Sequence, residues 1–186
     1  MKITFVRHAQ TEQNYLEVCQ GLQNNPLCDD GRRQALKLKE KLKDKHFDYC
    51  YMSPMLRTVE TAIILIGDRV ETIPDKRIIE RNLGELENVP RKFYDYKKYW
   101  DYNLNCSDRG VEPVQDIFKR CEDFLNYIKE KHKGQSILIV SHSSPIRAMI
   151  HIIENTDRSS KLYKKVIDKI ANKESTIGRA SCRERV

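Results

Sequence analysis

Residues 136–141, SILIVS, are apolar from Ile137 to Val140 and break off at His142. A run this short, rich in branched aliphatics and with Gly134 just upstream, describes a buried strand. Buried strands of this kind belong to sheets covered by helices on both sides. The start of the chain repeats the pattern, because KITFV runs straight into Arg7-His8. Between the two runs, strand-like and helix-like segments alternate. Gly31 to Lys43 carries Ala35, Leu38 and Leu42 on one face, with Asp29 or Asp30 as the N-cap. FDYCYMS (47–53) reads as a second strand closed by Ser53-Pro54. Pro54 suits the start of the helix MLRTVETAIILI, where Leu56, Val59, Ile63 and Ile66 recur at helical spacing. KRII (76–79) reads as a short third strand. EPVQDIFKRCEDFLNYIKEKH is a long amphipathic helix, and a final helix begins near Ser144-Pro145. The alternation predicts an α/β three-layer sandwich, with a mostly parallel central sheet flanked by helices.

The 186 residues suit a single domain. No apolar run of transmembrane length occurs, and Met1-Lys2 leads directly into a strand without room for a signal peptide, so a cytoplasmic protein with no membrane partner is expected. Cys19, Cys28, Cys50, Cys106, Cys121 and Cys182 are scattered without a C-x-x-C pair, which argues for reduced thiols over a zinc site or a disulfide framework. The net charge of +7 needs one correction. The last ten residues, IGRASCRERV, resemble the translation of a sequencing adapter read through as coding sequence. On that reading the domain is residues 1–176 and 177–186 are a non-native tail. The tail holds three arginines and one glutamate, leaving +5 on the rest. The lysines are spread over helices and form no tract, so no nucleic-acid partner is expected.

In open α/β sheets, ligands bind beyond the carboxyl ends of the strands. His8 and His142 both follow such ends, and YCYM stops just before Ser53, with Arg57 on the first turn of the next helix. If these strands are neighbours, two imidazoles face one pocket and Arg7 and Arg57 add two guanidinium forks. Guanidinium matches phosphate oxygens bidentately, so the set reads as a site for a phosphoryl group. A metal site is the weaker alternative, because cations beside a metal raise its cost and no carboxylate is adjacent. No metal and no cofactor are expected. His46, His132 and His151 read as exposed or packing residues. Residues 84–112, with Tyr94, Tyr96, Tyr99, Trp100 and Tyr102, read as a small subdomain core or as a lid or insertion over the site.

Five stretches carry a resemblance. VRHAQTEQN looks like V-R-H-G-E-T-x-x-N, and QGLQNNPLCDDGRRQA is similar to Q-G-x-x-D-x-P-L-[ST]-x-x-G-x-x-Q-A. SPMLRTVETA matches S-P-x-x-R-x-x-x-T-A, IIERNLGELE resembles L-x-E-x-x-x-G-x-x-E, and VSHSSPIR matches V-S-H-G-G-x-I-R. In this order, over residues 3 to 147, they resemble the histidine phosphatase (phosphoglycerate mutase-like) family. The resemblance implies the phosphoglycerate mutase-like fold and its roles. His8 would be the nucleophile, with its other ring nitrogen donating to a backbone carbonyl. Arg7, Arg57 and His142 would hold the equatorial phosphate oxygens. Asn14, Gln20 and the Ser143 backbone N–H would add contacts. Glu80 would protonate the leaving oxygen and then deprotonate the attacking water. Without the resemblance, Glu80 reads as a surface ion pair with Arg81 or Arg77. Ala9, Gln10 and Ser143-Ser144 depart from the pattern without removing a reacting group. KIANKEST resembles the approach to a final family strand, so the C-terminal strand is expected to be truncated and a sheet edge left under-covered.

The expected function is a metal-independent phosphomonoester phosphatase. It would act on a small phosphorylated metabolite, a small-molecule phosphate ester, through a phosphohistidine. The chain sets no oligomeric state. One alternative is a cofactor-dependent phosphoglycerate mutase, but ERNLG puts Leu83 where mutases carry tyrosine and 84–112 shows no paired arginines for a substrate carboxylate. The other is a non-catalytic phospho-ligand-binding module, for which a complete nucleophile-and-acid set has no use.

Overall fold

The computed structural model describes residues 1–156, 158 and 182–185. Its strands are β1 (Lys2–Arg7), β2 (Tyr49–Met52), β3 (Glu71–Pro74), β4 (Ser136–Ser141) and β5 (Cys182–Arg185). They lie in the order β3-β2-β4-β1-β5. The first four are mutually parallel, and β5 runs antiparallel to β1. The helices are α1 (Glu12–Tyr15), α2 (Asp29–Leu42), α3 (Leu56–Ile66), α4 (Tyr96–Tyr99), α5 (Val114–Lys131) and α6 (Ser143–Ile153), with short 3-10 turns between them.

Strand alternation sorts the central side chains onto two faces. Ile3, Phe5, Tyr51, Ile137 and Ile139 pack with Phe118, Phe124 and Ile128 of α5 and Met149 of α6. Val6, Cys50, Leu138 and Val140 pack on the other face with Leu38 and Leu42 of α2 and Ala62 and Leu65 of α3. Helices therefore cover a largely parallel sheet on both sides, giving the three layers expected.

Four local expectations need correction. The third strand is Glu71–Pro74, and Lys76–Ile78 form a 3-10 turn. Asp75 causes the turn: its N–H donates to the Met52 carbonyl, ending the ladder, and its Oδ1 accepts from the Arg77 N–H at 2.8 Å. The N-cap position of helix α2 is Cys28, which makes no side-chain cap, with Asp29 and Asp30 inside the first turn, where their charge suits the positive end of the helix. Helix α3 buries Arg57, Thr58, Thr61, Ala62, Leu65 and Ile66, while Leu56 and Ile63 of the apolar repeat face solvent. The outer edge of β1 is not left open, because β5 pairs with it from Ile3 to Val6. Unpaired strand groups accept any extended backbone, whatever its side chains. The rest of 177–186 lies outside the described residues.

Two histidines read as packing residues are buried. His132 Nδ1–H donates to Gln135 Oε1 at 2.9 Å, so its Nε2 accepts from the Tyr51 hydroxyl at 2.8 Å. His151 contacts Thr156 Oγ1. His46 is exposed and meets Asp48. Gly31 is fixed by close approach: a Cβ there would lie 2.0 Å from the Gln10 carbonyl oxygen. That contact seats α2 against the loop that leaves β1, and so helps to place the residues after His8.

Candidate active site

Register brings the predicted residues together. Arg7 lies opposite Ser141 across β1 and β4, and the His8 N–H continues the ladder to the Ser141 carbonyl at 3.0 Å. On the far side of β4, the Ser53 N–H donates to the Val140 carbonyl. His8, His142 and Ser53 thus leave three adjacent strand ends, and the two imidazole centroids stand 5.2 Å apart.

The tautomer of His8 follows from its partner. Its Nδ1 lies 2.7 Å from the Ala9 carbonyl oxygen, which can only accept, so Nδ1 carries the hydrogen and Nε2 a free lone pair. Burial first, and then the charges of Arg7 and Arg57, hold the His8 pKa well below the ordinary histidine value. The Ala9 N–H donates to Thr61 Oγ1 at 3.1 Å, which anchors the residue whose carbonyl orients the ring.

His142 is oriented from both sides. The Arg57 Nε–H donates to its Nδ1 at 3.2 Å, so the neutral ring carries its hydrogen on Nε2 and donates to Ser53 Oγ at 2.8 Å. Burial, and then the charges of Arg57, His8 and Arg7, push its pKa well down too. Arg57 is fully buried and spread across three acceptors: its Nη1 donates to the Gln23 carbonyl at 2.6 Å and its Nη2 to the Gly21 carbonyl at 3.0 Å. Burial brings its pKa down to about 10, so it stays cationic near neutrality.

Arg7, His8, Asn14, Gln20, Arg57, Glu80 and Ser143 line one cavity of about 150 Å³. His142 is fully buried and does not line it, with both ring nitrogens engaged by Arg57 and Ser53. Asn14 caps α1 reciprocally with Thr11, whose N–H donates to its Oδ1, so the other end of the carboxamide offers only donors. Ser143 opens α6, whose amino end adds a partial positive charge. Glu80 forms neither ion pair suggested by its neighbours. Its Oε1 accepts from the Arg81 and Ser144 backbone N–H groups at 2.9 and 3.2 Å, while Arg77 pairs with Asp75 and Asp123.

Arg81, Arg91 and Arg147 also line the cavity and escaped the sequence reading of the site, and Tyr94, Tyr96 and Trp100 of the aromatic segment 84–112 line it too. Arg147 and the supporting Ser53 stand inside stretches already singled out, as the last residue of VSHSSPIR and the first of SPMLR. Arg91 opens a three-residue 3-10 turn (Arg91–Phe93) too short to show a periodicity, and no signal marked it. The Gln10 departure is turned from the pocket, since its side chain accepts from Gln34 Nε2 and its N–H donates to Gln34 Oε1. No cluster of three or more His, Cys, Asp or Glu able to hold a metal occurs among the described residues. The arrangement suits a tetrahedral anion gripped by guanidinium forks, with the His8 Nε2 lone pair turned to it.

Comparison with known proteins gives the same picture. Residues 3–170 match the family profile described as histidine phosphatase superfamily (branch 1). Phosphoserine phosphatase 1 of Hydrogenobacter thermophilus is 32% identical over 166 residues, covering 86% of this chain and 79% of that protein. Phosphoglycerate mutase-like protein 4 of Arabidopsis thaliana is 29% identical over 181 residues, covering 92% and 77%. Among solved structures, Bacillus stearothermophilus YhfR superposes with a TM-score of 0.75 at 26% identity, over 85% of this chain and 82% of its own. With the two strand-end histidines, the buried arginine and the layered sheet all in place, the chain belongs to the histidine phosphatase superfamily, branch 1.

Proposed function

We propose that this chain is a metal-independent phosphomonoester phosphatase for small phosphorylated metabolites, working through a phosphohistidine at His8. The observation that carries the reading is the His8 tautomer: Nδ1–H is committed to the Ala9 carbonyl, which leaves the Nε2 lone pair in an arginine-lined cavity. Nε2 attacks phosphorus in line, the P–N bond forms as the ester P–O bond breaks, and Arg7 and Arg57 offset charge on the equatorial oxygens. Asn14, Gln20 and the Ser143 N–H add hydrogen bonds. His142 acts from behind, holding Arg57 through Nδ1. Protonated Glu80 gives its proton to the leaving oxygen, and as a carboxylate takes one from the water that then cleaves the P–N bond. A cavity of about 150 Å³ suits a small ester; drug-sized ligand pockets run to about 300–1,000 Å³.

Phosphatase is favoured over mutase by Leu83, which lines the cavity where mutases of the family carry tyrosine. A cytoplasmic location is part of the same proposal, and it rests on the scattered cysteines of the sequence, which show no disulfide framework. No described helix is long and apolar enough to cross a membrane. We keep the reading of 177–186 as a foreign tail as a proposal, to be checked by resequencing the 3′ end of the gene. The test of mechanism is a rapid quench with a labelled phosphate ester. Label that is acid-labile and base-stable should appear on the protein, and His8→Ala should lose both label and turnover. Undiminished turnover in that variant would rule the mechanism out.

A further inference from the structure

Glu80 stands on a piece of chain that has no regular structure of its own. The 3-10 turn Lys76–Ile78 ends before it, the next begins at Gly84, and residues 79–83 lie in neither helix nor strand. A group that passes protons must still be placed closely, because an error of about 1 Å costs on the order of 10²-fold in rate. Two residues outside the cavity supply the placement. Arg120 of α5 donates through Nη1 to the Arg77 carbonyl at 2.7 Å and through Nη2 to the Glu80 carbonyl at 3.5 Å. Glu112, just before α5, holds the other side. Its N–H donates to the Asn82 carbonyl at 2.9 Å, its Oε2 accepts from the Asn82 N–H at 3.2 Å, and its carbonyl accepts from Arg81 Nε at 2.7 Å. The two side chains also lock to each other, Arg120 Nε on Glu112 Oε1 at 2.7 Å and Nη2 on Oε2 at 3.1 Å.

Stability is a poor reason for this pair. Both side chains are mostly buried, at 17% and 18% exposure, and taking two charges out of water offsets much of their attraction. The apolar face of α5, with Phe118, Phe124 and Ile128, already fixes that helix against the sheet. What the pair adds is position. The guanidinium fork reaches the carbonyls of residues 77 and 80, and the carboxylate closes on the Asn82 N–H, so the backbone is gripped on both sides of the Glu80 side chain. The side chain itself is met from the far wall by the Ser144 N–H at 3.2 Å. Neither Arg120 nor Glu112 lines the cavity, so neither touches a ligand there. Resting on the proposed function above, we propose that Arg120 and Glu112 are positioning residues, whose ion pair braces residues 77–82 and holds the Glu80 carboxyl where it can pass its proton to the leaving oxygen.

The test measures kcat/KM, which covers the step that releases the alcohol, for phenyl phosphate and p-nitrophenyl phosphate. The two esters are alike in shape and differ in how much the leaving oxygen needs a proton. Arg120→Met should lower kcat/KM for phenyl phosphate by about 10–100-fold and for p-nitrophenyl phosphate by far less. Arg120→Lys should recover part of the loss, since one ammonium keeps the charge but cannot span two carbonyls and a carboxylate. In a Glu80→Gln background, Arg120→Met should cost almost nothing more, because a residue that acts through Glu80 then has nothing left to position. Thermal melts establish that each variant is folded, and Glu112→Gln, which keeps the size and one acceptor, carries the same comparisons if Arg120→Met does not fold. Equal losses on the two esters, or losses that multiply with that of Glu80→Gln, overturn the brace and leave the phosphatase reading standing. Failure of both variants to fold does the same, since the pair would then support the whole domain. No hydrolysis of either ester by the wild type overturns the phosphatase reading and the brace with it.

Discussion

Ser53→Ala isolates the support behind the two histidines. Ser53 is fully buried, and its Oγ is the acceptor for His142 Nε2–H at 2.8 Å. The ring has no second way to settle, because moving its hydrogen to Nδ1 would set it against the Arg57 Nε–H at 3.2 Å. The variant therefore leaves one buried donor unpaired, which costs about 1–3 kcal/mol. For a domain of this size that lowers Tm by about 2–12 °C. Loss of the fixed ring also loosens the Arg57 fork, since one of its acceptors is His142 itself. A fall of about tenfold in kcat/KM for p-nitrophenyl phosphate is expected, the equivalent of one hydrogen bond lost in the transition state. The assays are a thermal melt and steady-state kinetics on the same preparation. A melt and a kcat/KM both indistinguishable from wild type would show that His142 is not held from Ser53.

Three further outcomes follow from the same geometry. Glu80→Gln should lower kcat by about 10²–10⁴-fold on esters with poor leaving groups and by less on p-nitrophenyl phosphate; equal losses on both would count against the acid role. Activity should survive EDTA, because His8 Nδ1 and both His142 nitrogens already have protein partners and guanidiniums crowd the remaining space; zinc- or magnesium-restored activity after chelation would contradict this. Burial depresses the folded-state pKa of His8, His142 and His151, the last to about 4, so the unfolded chain takes up protons first as pH falls through about 6.5. The stability these rings contribute is present above that pH and lost below it, and Tm should drop between pH 7.5 and pH 5; a rise would break the argument.

Much of the fold was legible because its centre obeys simple periodicities. Ile137–Val140 and Ile3–Val6 are buried strands, and the paired strand ends place His8 beside His142 as the apolar runs implied. Helix α3 shows where that logic stops. Its inward face carries Arg57, Thr58 and Thr61, because Arg57 reaches the cavity and Thr61 Oγ1 anchors the Ala9 peptide. Hydrophobic spacing points to the opposite side, toward Ile63, since it cannot register a polar face buried for the sake of a site. The KRII misreading has a similar origin: two apolar residues outweighed Asp75, whose side chain turns the backbone. Arg81, Arg91 and Arg147 come from a loop, a 3-10 turn and a helix, and no spacing rule joins residues that only the folded chain brings together.

The chain contains a single tryptophan, and it is Trp100. That indole is 4% exposed, forms part of the cavity wall and has the Arg81 and Arg147 guanidinium carbons 5.4 and 5.8 Å from its centroid. Emission excited selectively from tryptophan therefore reports from one wall of one cavity, undiluted by signals from elsewhere in the molecule. An anion entering the cavity changes the electric field across the ring, so the unmodified protein carries its own optical readout. Titration with non-hydrolysable phosphonates would turn that readout into binding isotherms before any label is attached or any substrate consumed.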